Sequence, residues 1–218
     1  MQTNELIAQL AREGAHKPAP PPARILVSWL GFMILYFFVL LAIHGLRSDI
    51  GQKLQQSLYF SEILLMLAIA LLSALAASWL SLPDANQKAW IRFVPLLPLG
   101  AFAGMLIYGM LTTSALTLSQ CLQLARYDCV IRIILYGLLP GGIMFSVTSR
   151  AAPTRCCWAG SMIGLSVASL GYILLRLVDP SDDPTQLIIW HFLPVLFMTV
   201  IGMMLGGWLL GRVWRKAG

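Results

Sequence analysis

The four cysteines of this sequence have the most readily defined chemistry. Cys121 and Cys129 precede one apolar segment, whereas Cys156 and Cys157 are adjacent at the start of another. In an oxidising compartment Cys121 and Cys129 could form a disulfide. As free thiolates they are candidate ligands for a soft metal, although two sulfurs make a weak site. The adjacent pair is expected to pack at the start of a helix.

Other ionisable side chains are scarce within the apolar segments. Glu62 lies about one turn into the second segment, so we expect its carboxylate to reach the membrane interface. Asp128 and Arg132 have the four-residue spacing of an ion pair on one helix face. His44 and His191 lie at segment ends, where an interfacial position is favoured over metal ligation.

The sequence contains none of the common catalytic motifs that we considered. The sequence has no Cys-x-x-Cys pair, no His-Glu-x-x-His motif, no Gly-rich phosphate loop and no Ser/His/Asp grouping. It therefore predicts no enzymatic activity, no cofactor and no metal site.

The composition is that of an integral membrane protein. Of 218 residues, 58% are hydrophobic and 11% are charged, whereas a soluble domain carries about 25% charged residues. Mean hydropathy is +0.78. The net charge of +6 does not indicate direct binding to nucleic acid, because most basic residues flank apolar segments.

The segments themselves predict an all-α integral membrane protein, a six-transmembrane-helix bundle. Each approaches or exceeds the roughly 20 residues that a membrane helix needs, and strand-like alternation is absent. The predicted spans are Ile25–His44, Leu58–Leu80, Phe93–Leu116, Cys129–Thr148, Trp158–Val178 and Leu187–Gly211. Residues 1–23 then form an N-terminal tail, 24–212 the transmembrane domain and 213–218 a C-terminal tail.

Basic residues predict the orientation of these spans. The two tails and the even-numbered connections between spans (the second and fourth) contain more basic residues than the odd-numbered ones (the first, third and fifth). This distribution predicts that both termini are cytoplasmic. The majority set is Arg12, Lys17, Arg24, Lys88, Arg92, Arg150, Arg155, Arg212, Arg215 and Lys216.

The N-terminal tail has features of a docking element. Leu6, Ile7 and Leu10 share one face of a predicted helix of about ten residues, which is too short to be stable alone in water. The proline-rich stretch 17–22 follows as a semi-rigid spacer. The tail either docks a cytosolic protein or lies on the lipid surface.

Docking through three apolar side chains alone would be weak. Their burial contributes roughly 5–8 kcal/mol, of which folding on binding removes about 2–5 kcal/mol. Further contacts would come from basic connections on the same side, with Arg150 and Arg155 as candidates for an acidic partner surface.

Several stretches resemble the NrsF family of six-helix inner-membrane proteins, which are negative regulators of extracytoplasmic-function sigma factors. They are "HGLRSDIGQKLQQSLYFSEILLMLAIALLSALAASWL", "CVIRIILYGLLP", "SRAAPTRCCWAGSMIGLSVASLGYILL" and "IIWHF". The resemblance covers most of the chain from about Leu46, and the Arg-Ala-Ala-Pro turn at Arg150–Pro153 is its most specific element.

The resemblance implies a multi-pass protein of the bacterial inner membrane that holds a sigma factor at the cytoplasmic face and releases it on stress. It also implies two outward-facing cysteines, of which Cys129 matches the first; the place of the second is taken by a loop with Asp179, Asp182 and Asp183. Cys121 could substitute as a sensing residue, the loop could bind a cation, or the signal could differ. A solvated turn is the simplest expectation for the loop.

Two other classes of protein remain open at this point. A small transporter or channel subunit would need a polar path through the bilayer, and a thiol–quinone redox enzyme would need a reactive cysteine pair. The few polar residues in the spans disfavour the first, and the missing Cys-x-x-Cys disfavours the second. The sequence does not indicate an oligomeric state.

Overall fold

The computed structural model describes residues 5, 7, 21–82, 90–112, 119–120, 127–150, 153 and 155–211, with the side chains of 22 and 150 excepted. Within these ranges the chain is helical and contains no strand. The α-helices are α1 (Pro22–His44), α2 (Ile50–Lys53), α3 (Ser57–Leu80), α4 (Leu96–Thr112), α5 (Tyr127–Arg150), α6 (Cys156–Val178), α7 (Pro184–Gln186) and α8 (Leu193–Leu205). Two π-helical turns, Leu187–Phe192 and Gly206–Leu210, flank α8.

Six helical segments of the described chain are long and apolar enough to cross a membrane. They are Ala23–His44, Ser57–Leu80, Trp90–Thr112, Tyr127–Ser149, Cys156–Val178 and Pro184–Leu210, and the last is called the sixth span below. The predicted fold class is confirmed, and the protein is a multi-pass membrane protein. The third span begins with a 3₁₀ turn at 90–93, and the predicted end at residues 113–116 lies outside the described ranges.

Local sequence explains the limits of α1. Pro22 occupies the first helical turn, where its missing N–H is not needed. Gly45 ends the helix with a φ of +76° and donates its N–H to the Leu41 carbonyl. A residue with a side chain would be strained in that conformation.

Helix α6 is the centre of the bundle. Of its most apolar stretch 83% is buried, against 17% for α1 and for the third span. It packs against α1, α3, α5 and α8, whereas α4 packs mainly on α3 and α7. Small residues on α6 allow neighbours to approach on several sides at once.

Glycines allow the backbones of α6 and the sixth span to approach each other closely. A Cβ placed on Gly160 would lie 2.7 Å from Gly206 Cα and still closer to the Gly202 carbonyl, and one on Gly164 would meet Met198 backbone. These distances leave no room for a methyl group. Gly160 and Gly164 are four residues apart, as are Gly202 and Gly206, and this spacing is typical of close helix packing in membranes.

Two connections meet at one end of the bundle, which we call the ionic end. The Arg47 N–H donates to the Leu177 carbonyl at 2.9 Å, which joins the α1–α3 connection to the end of α6. The Tyr59 hydroxyl on α3 donates to the Arg176 carbonyl at 2.7 Å. The opposite end contains the start of α6 together with the ends of α3 and the sixth span.

Candidate functional site

A buried ion pair between two spans is the core of the ionic end. The Arg176 guanidinium on α6 donates to both carboxylate oxygens of Glu62 on α3, with Nη2 to Oε2 at 3.0 Å. The Tyr172 hydroxyl donates to Glu62 Oε1 at 2.6 Å. The Glu62 and Arg176 side chains are 7% and 3% exposed. The expectation that Glu62 reaches the interface is wrong, because its carboxylate lies inside the bundle.

Asp182, in the connection after α6, extends the pair into a network. Its carboxylate accepts hydrogen bonds from Arg176 Nη1 and Arg47 Nη2, both at 3.1 Å, and lies 2.7 Å from Lys53 Nζ. Arg47 also pairs with Asp49 at 2.6 Å. The loop is solvated at Pro180 and Asp182, as expected, but three cations also hold it against the bundle.

Charges within this cluster balance. Arg47, Lys53 and Arg176 face the carboxylates of Asp49, Glu62 and Asp182. A buried charge is tolerated only when it is paired and hydrogen-bonded, and each charged member here has a partner of opposite sign. The three positive and three negative charges of the cluster therefore sum to zero.

The environment shifts the acid–base properties of the loop residues. Partial burial alone would raise the pKa of Asp182, but hydrogen bonds from Arg47 and Lys53 outweigh it and hold that pKa well below its usual range. The hydrogen bond with Asp49 raises the pKa of the Arg47 guanidinium, and the same bond lowers the pKa of Asp49. The loop charges therefore persist through the physiological pH range.

Beside the network lies a second buried group, formed by Cys129, Asp179 and His191. Cys129 and His191 are fully buried and Asp179 is 5% exposed. The Cys129 thiol donates to Asp179 Oδ2 at 3.4 Å. One ligand atom from each residue lies within 4.8 Å of the other two. The expectation that His191 is interfacial is wrong, whereas His44 is exposed and hydrogen-bonded to Tyr136 at 2.8 Å.

The residues predicted to sense or dock are distributed over the chain. Cys129 belongs to the buried group, but Cys121 lies outside the described residues, so their disulfide stays a prediction. Ile7 is helical and 58% exposed, while Leu6 and Leu10 lie outside the described residues. The other two candidates, Arg150 and Arg155, lie at the end of α5 and just before α6.

Sequence reasoning missed the ionic cluster as a unit. The sequence places Arg47 and Arg176 among the basic residues of the odd-numbered connections, and Asp182 in a loop expected to be a solvated turn or to bind a cation. A signal was present nonetheless, because Glu62 and Arg176 are opposite charges within apolar spans, where an ionisable residue usually has a partner.

Comparisons with known proteins identify the family of this chain. The family model described as "Negative regulator of sigma F" matches residues 10–211. The anti-sigma-F factor NrsF of Caulobacter vibrioides is 30% identical over 217 residues, which cover 96% of this chain and 99% of that protein. No solved structure matches significantly.

The family match begins at Leu10, inside the predicted docking helix, and ends at Gly211, just after the sixth span. It confirms the resemblance deduced from the sequence and makes this chain a regulatory protein, a negative regulator of a sigma factor. The chain therefore belongs to the NrsF family of anti-sigma factors.

Proposed function

We propose that this protein sequesters an extracytoplasmic-function sigma factor at the cytoplasmic face of the bacterial inner membrane and releases it on stress. Membership of an anti-sigma family supports a sigma factor as partner, and six membrane-spanning helices support sequestration at a membrane. The bundle then acts as a scaffold, and its cytoplasmic segments bind the partner.

The exposed Ile7 is the observation that carries this proposal. This apolar residue is helical and 58% exposed, and it precedes the first membrane span. An exposed apolar residue on a helix outside the spans suits a partner groove, which an amphipathic helix enters with residues spaced like Leu6, Ile7 and Leu10. Lipid is the alternative occupant of the same face.

Basic residues at the opposite end from the ionic cluster would complete the interface. Arg155 lies just before α6 and is half-buried, and Arg150 is the last residue of α5. Arg92 stacks over Phe93 and Trp158 at 4.5 and 5.3 Å from their ring centroids. We assign contact with an acidic surface to Arg150 and Arg155, which flank the connection between α5 and α6.

Release would require a signal that changes the affinity for the sigma factor. A shift from 99% bound to 99% free takes about 5.5 kcal/mol of differential free energy. Helix α6 begins directly after Arg155 and contains Arg176 of the ionic cluster near its other end. A displacement of this helix at one end would therefore also move the other end. Cys129 and Cys121 are the proposed sensing residues.

Co-purification tests the docking role. The full chain is purified in detergent with an extracytoplasmic-function sigma factor from the same genome, and Leu6→Asp, Leu10→Asp and Gln9→Asp variants are compared. Gln9 lies largely off the apolar face, so Gln9→Asp is the matched charge control. Because a buried leucine contributes about 1.5–3 kcal/mol, each leucine variant should lose about tenfold or more in affinity, whereas the control retains binding.

Two results would contradict the proposal. Sigma binding unchanged in both leucine variants would remove the tail from the interface and favour the lipid-bound alternative. Failure of any sigma factor to bind the wild type, together with solute flux in liposomes, would favour the transporter class.

For sensing, unchanged sigma release from a Cys129→Ser variant under oxidant or metal stress would exclude the thiol as the trigger.

A further inference from the structure

We propose that Cys129, Asp179 and His191 form a binding site for one divalent zinc-type cation at the ionic end of the bundle. This is a claim about metal binding, and it stands apart from the binding of a sigma factor. The sequence alone predicted no metal site, because these residues lie far apart along the chain.

The spacing of the donor atoms suits zinc. In a tetrahedral site with bond lengths of 2.0–2.3 Å, neighbouring ligand atoms lie about 3.5 Å apart. Cys129 Sγ and Asp179 Oδ2 are 3.4 Å apart, and the group with His191 fits within 4.8 Å. A small rotation of the imidazole or the carboxylate would shorten the distances between the His191 nitrogen and the other two ligand atoms to this value. The fourth coordination position would be open to a water molecule.

Three separate elements converge to build this group. Cys129 lies in the first turn of α5, and Asp179 follows the last residue of α6. His191 lies in the π-helical turn Leu187–Phe192 of the sixth span. Such turns interrupt the regular α-helical register and occur frequently at functional sites.

Neighbouring contacts orient the donors, as outer-shell partners do around metals. The Ser181 N–H donates to Asp179 Oδ1 at 3.0 Å, while Oδ2 faces the thiol. The Arg47 guanidinium donates to the Asp179 carbonyl at 3.1 Å. The His191 ring packs edge-on against Tyr172, with centroids 6.0 Å apart.

Donor type and charge select the kind of cation. One sulfur, one imidazole nitrogen and one carboxylate oxygen suit zinc, whereas magnesium and calcium prefer oxygen alone. With the thiol deprotonated, the group carries two negative charges, which a dication neutralises.

Cobalt(II) is a spectroscopic probe of this site, since thiolate–cobalt bonds give charge-transfer absorption. The test uses the detergent-purified full chain, stripped with a chelator, and a Cys121→Ser/Cys156→Ser/Cys157→Ser variant in which Cys129 is the only remaining thiol. Both proteins should bind one cobalt ion per chain with a thiolate band, and zinc should displace it whereas magnesium should not.

Substitutions of the ligands then define the site. Cys129→Ser should lose the thiolate band. Asp179→Asn and His191→Gln should bind cobalt at least about tenfold more weakly, since even outer-shell changes alter metal affinity by about 10–100-fold. His44→Gln is the matched control, because His44 lies near the same end but outside the group, and it should retain wild-type affinity.

The sole-thiol variant keeps the proposal falsifiable even if a ligand variant does not fold. Absence of the thiolate band in that variant, when it is folded by circular dichroism, overturns the proposal. So does a band that persists at full strength in folded Asp179→Asn and His191→Gln. A zinc-dependent rise in the melting temperature of wild type, absent with magnesium, supports the proposal, and no rise with zinc counts against it.

Discussion

Individual residues at the ionic end show how burial changes the contribution of an ion pair to the stability of the fold. Arg176 and Glu62 are almost fully buried, whereas Arg132 and Asp128 are 41% and 54% exposed with 3.9 Å between Nη2 and Oδ2. The second pair confirms the prediction made from its four-residue spacing. Only the first pair is expected to matter for stability, because exposed pairs contribute about 0–1 kcal/mol.

Glu62→Gln should destabilise the bundle by about 3–5 kcal/mol, since it leaves Arg176 buried without its bidentate partner. Asp128→Asn is the control and should change stability by less than about 1 kcal/mol. Thermal or denaturant unfolding in detergent measures both. Equal effects of the two substitutions would show that the buried pair has no special role.

Asp182 predicts a pH dependence. Its pKa is lowered in the folded protein from the ordinary value of 3.8, so the folded state binds this proton less readily than the unfolded chain. The carboxylate therefore stabilises the fold fully above pH 3.8, and this contribution is lost as the pH falls below that value.

The measurement compares the melting temperatures of wild type and Asp182→Asn as the pH falls. The variant should be less stable by about 1–2 kcal/mol at neutral pH, a value reduced because the carboxylate is 34% exposed. The difference should stay constant down to about pH 5 and shrink below about pH 4. A difference that grows in acid would reverse the assigned sign.

At the scale of the elements, α6 and the sixth span depend on glycines for their contact. Gly160→Ala or Gly202→Ala would place a methyl group against backbone atoms of the neighbouring helix. Backbone atoms cannot relieve the clash by a change of rotamer, as a side chain could. Each should cost about 1–3 kcal/mol or more, as overpacking does. Gly104→Ala is the control, because no atom lies within 4 Å of its added Cβ, and melting in detergent compares the three variants.

A stability loss in Gly104→Ala as large as that in Gly160→Ala would contradict this account. The effect would then reflect a general property of glycine in these helices rather than the close approach of two backbones.

The spans were predictable from sequence, but their neighbours were not. Apolar length alone dictates where a helix crosses lipid, and four-residue glycine spacing predicts close packing. Glu62 and Arg176 are separated by 114 positions, and one sequence does not show which helices are adjacent. His191 was misplaced because its position at a span end was taken to indicate the interface, whereas its side chain is buried in the bundle.

At the scale of the whole molecule, the orientation in the membrane is the property on which function depends. The distribution of basic residues predicts that the ionic end faces outward. In a background without the four native cysteines, Gln55→Cys should react with a membrane-impermeant thiol reagent in intact cells. Ala217→Cys should react only after permeabilisation. The reverse labelling pattern would invert the topology and place the proposed docking helix on the wrong side.

The glycine contact between α6 and the sixth span has a mechanical consequence. The same two segments are also joined at their opposite ends by residues 179–183, so we expect them to tilt together as one rigid body. The less buried α1 and third span have fewer packing constraints. A displacement at one end of the rigid pair would therefore produce an opposite displacement at its other end, while α1 and the third span adjust their positions.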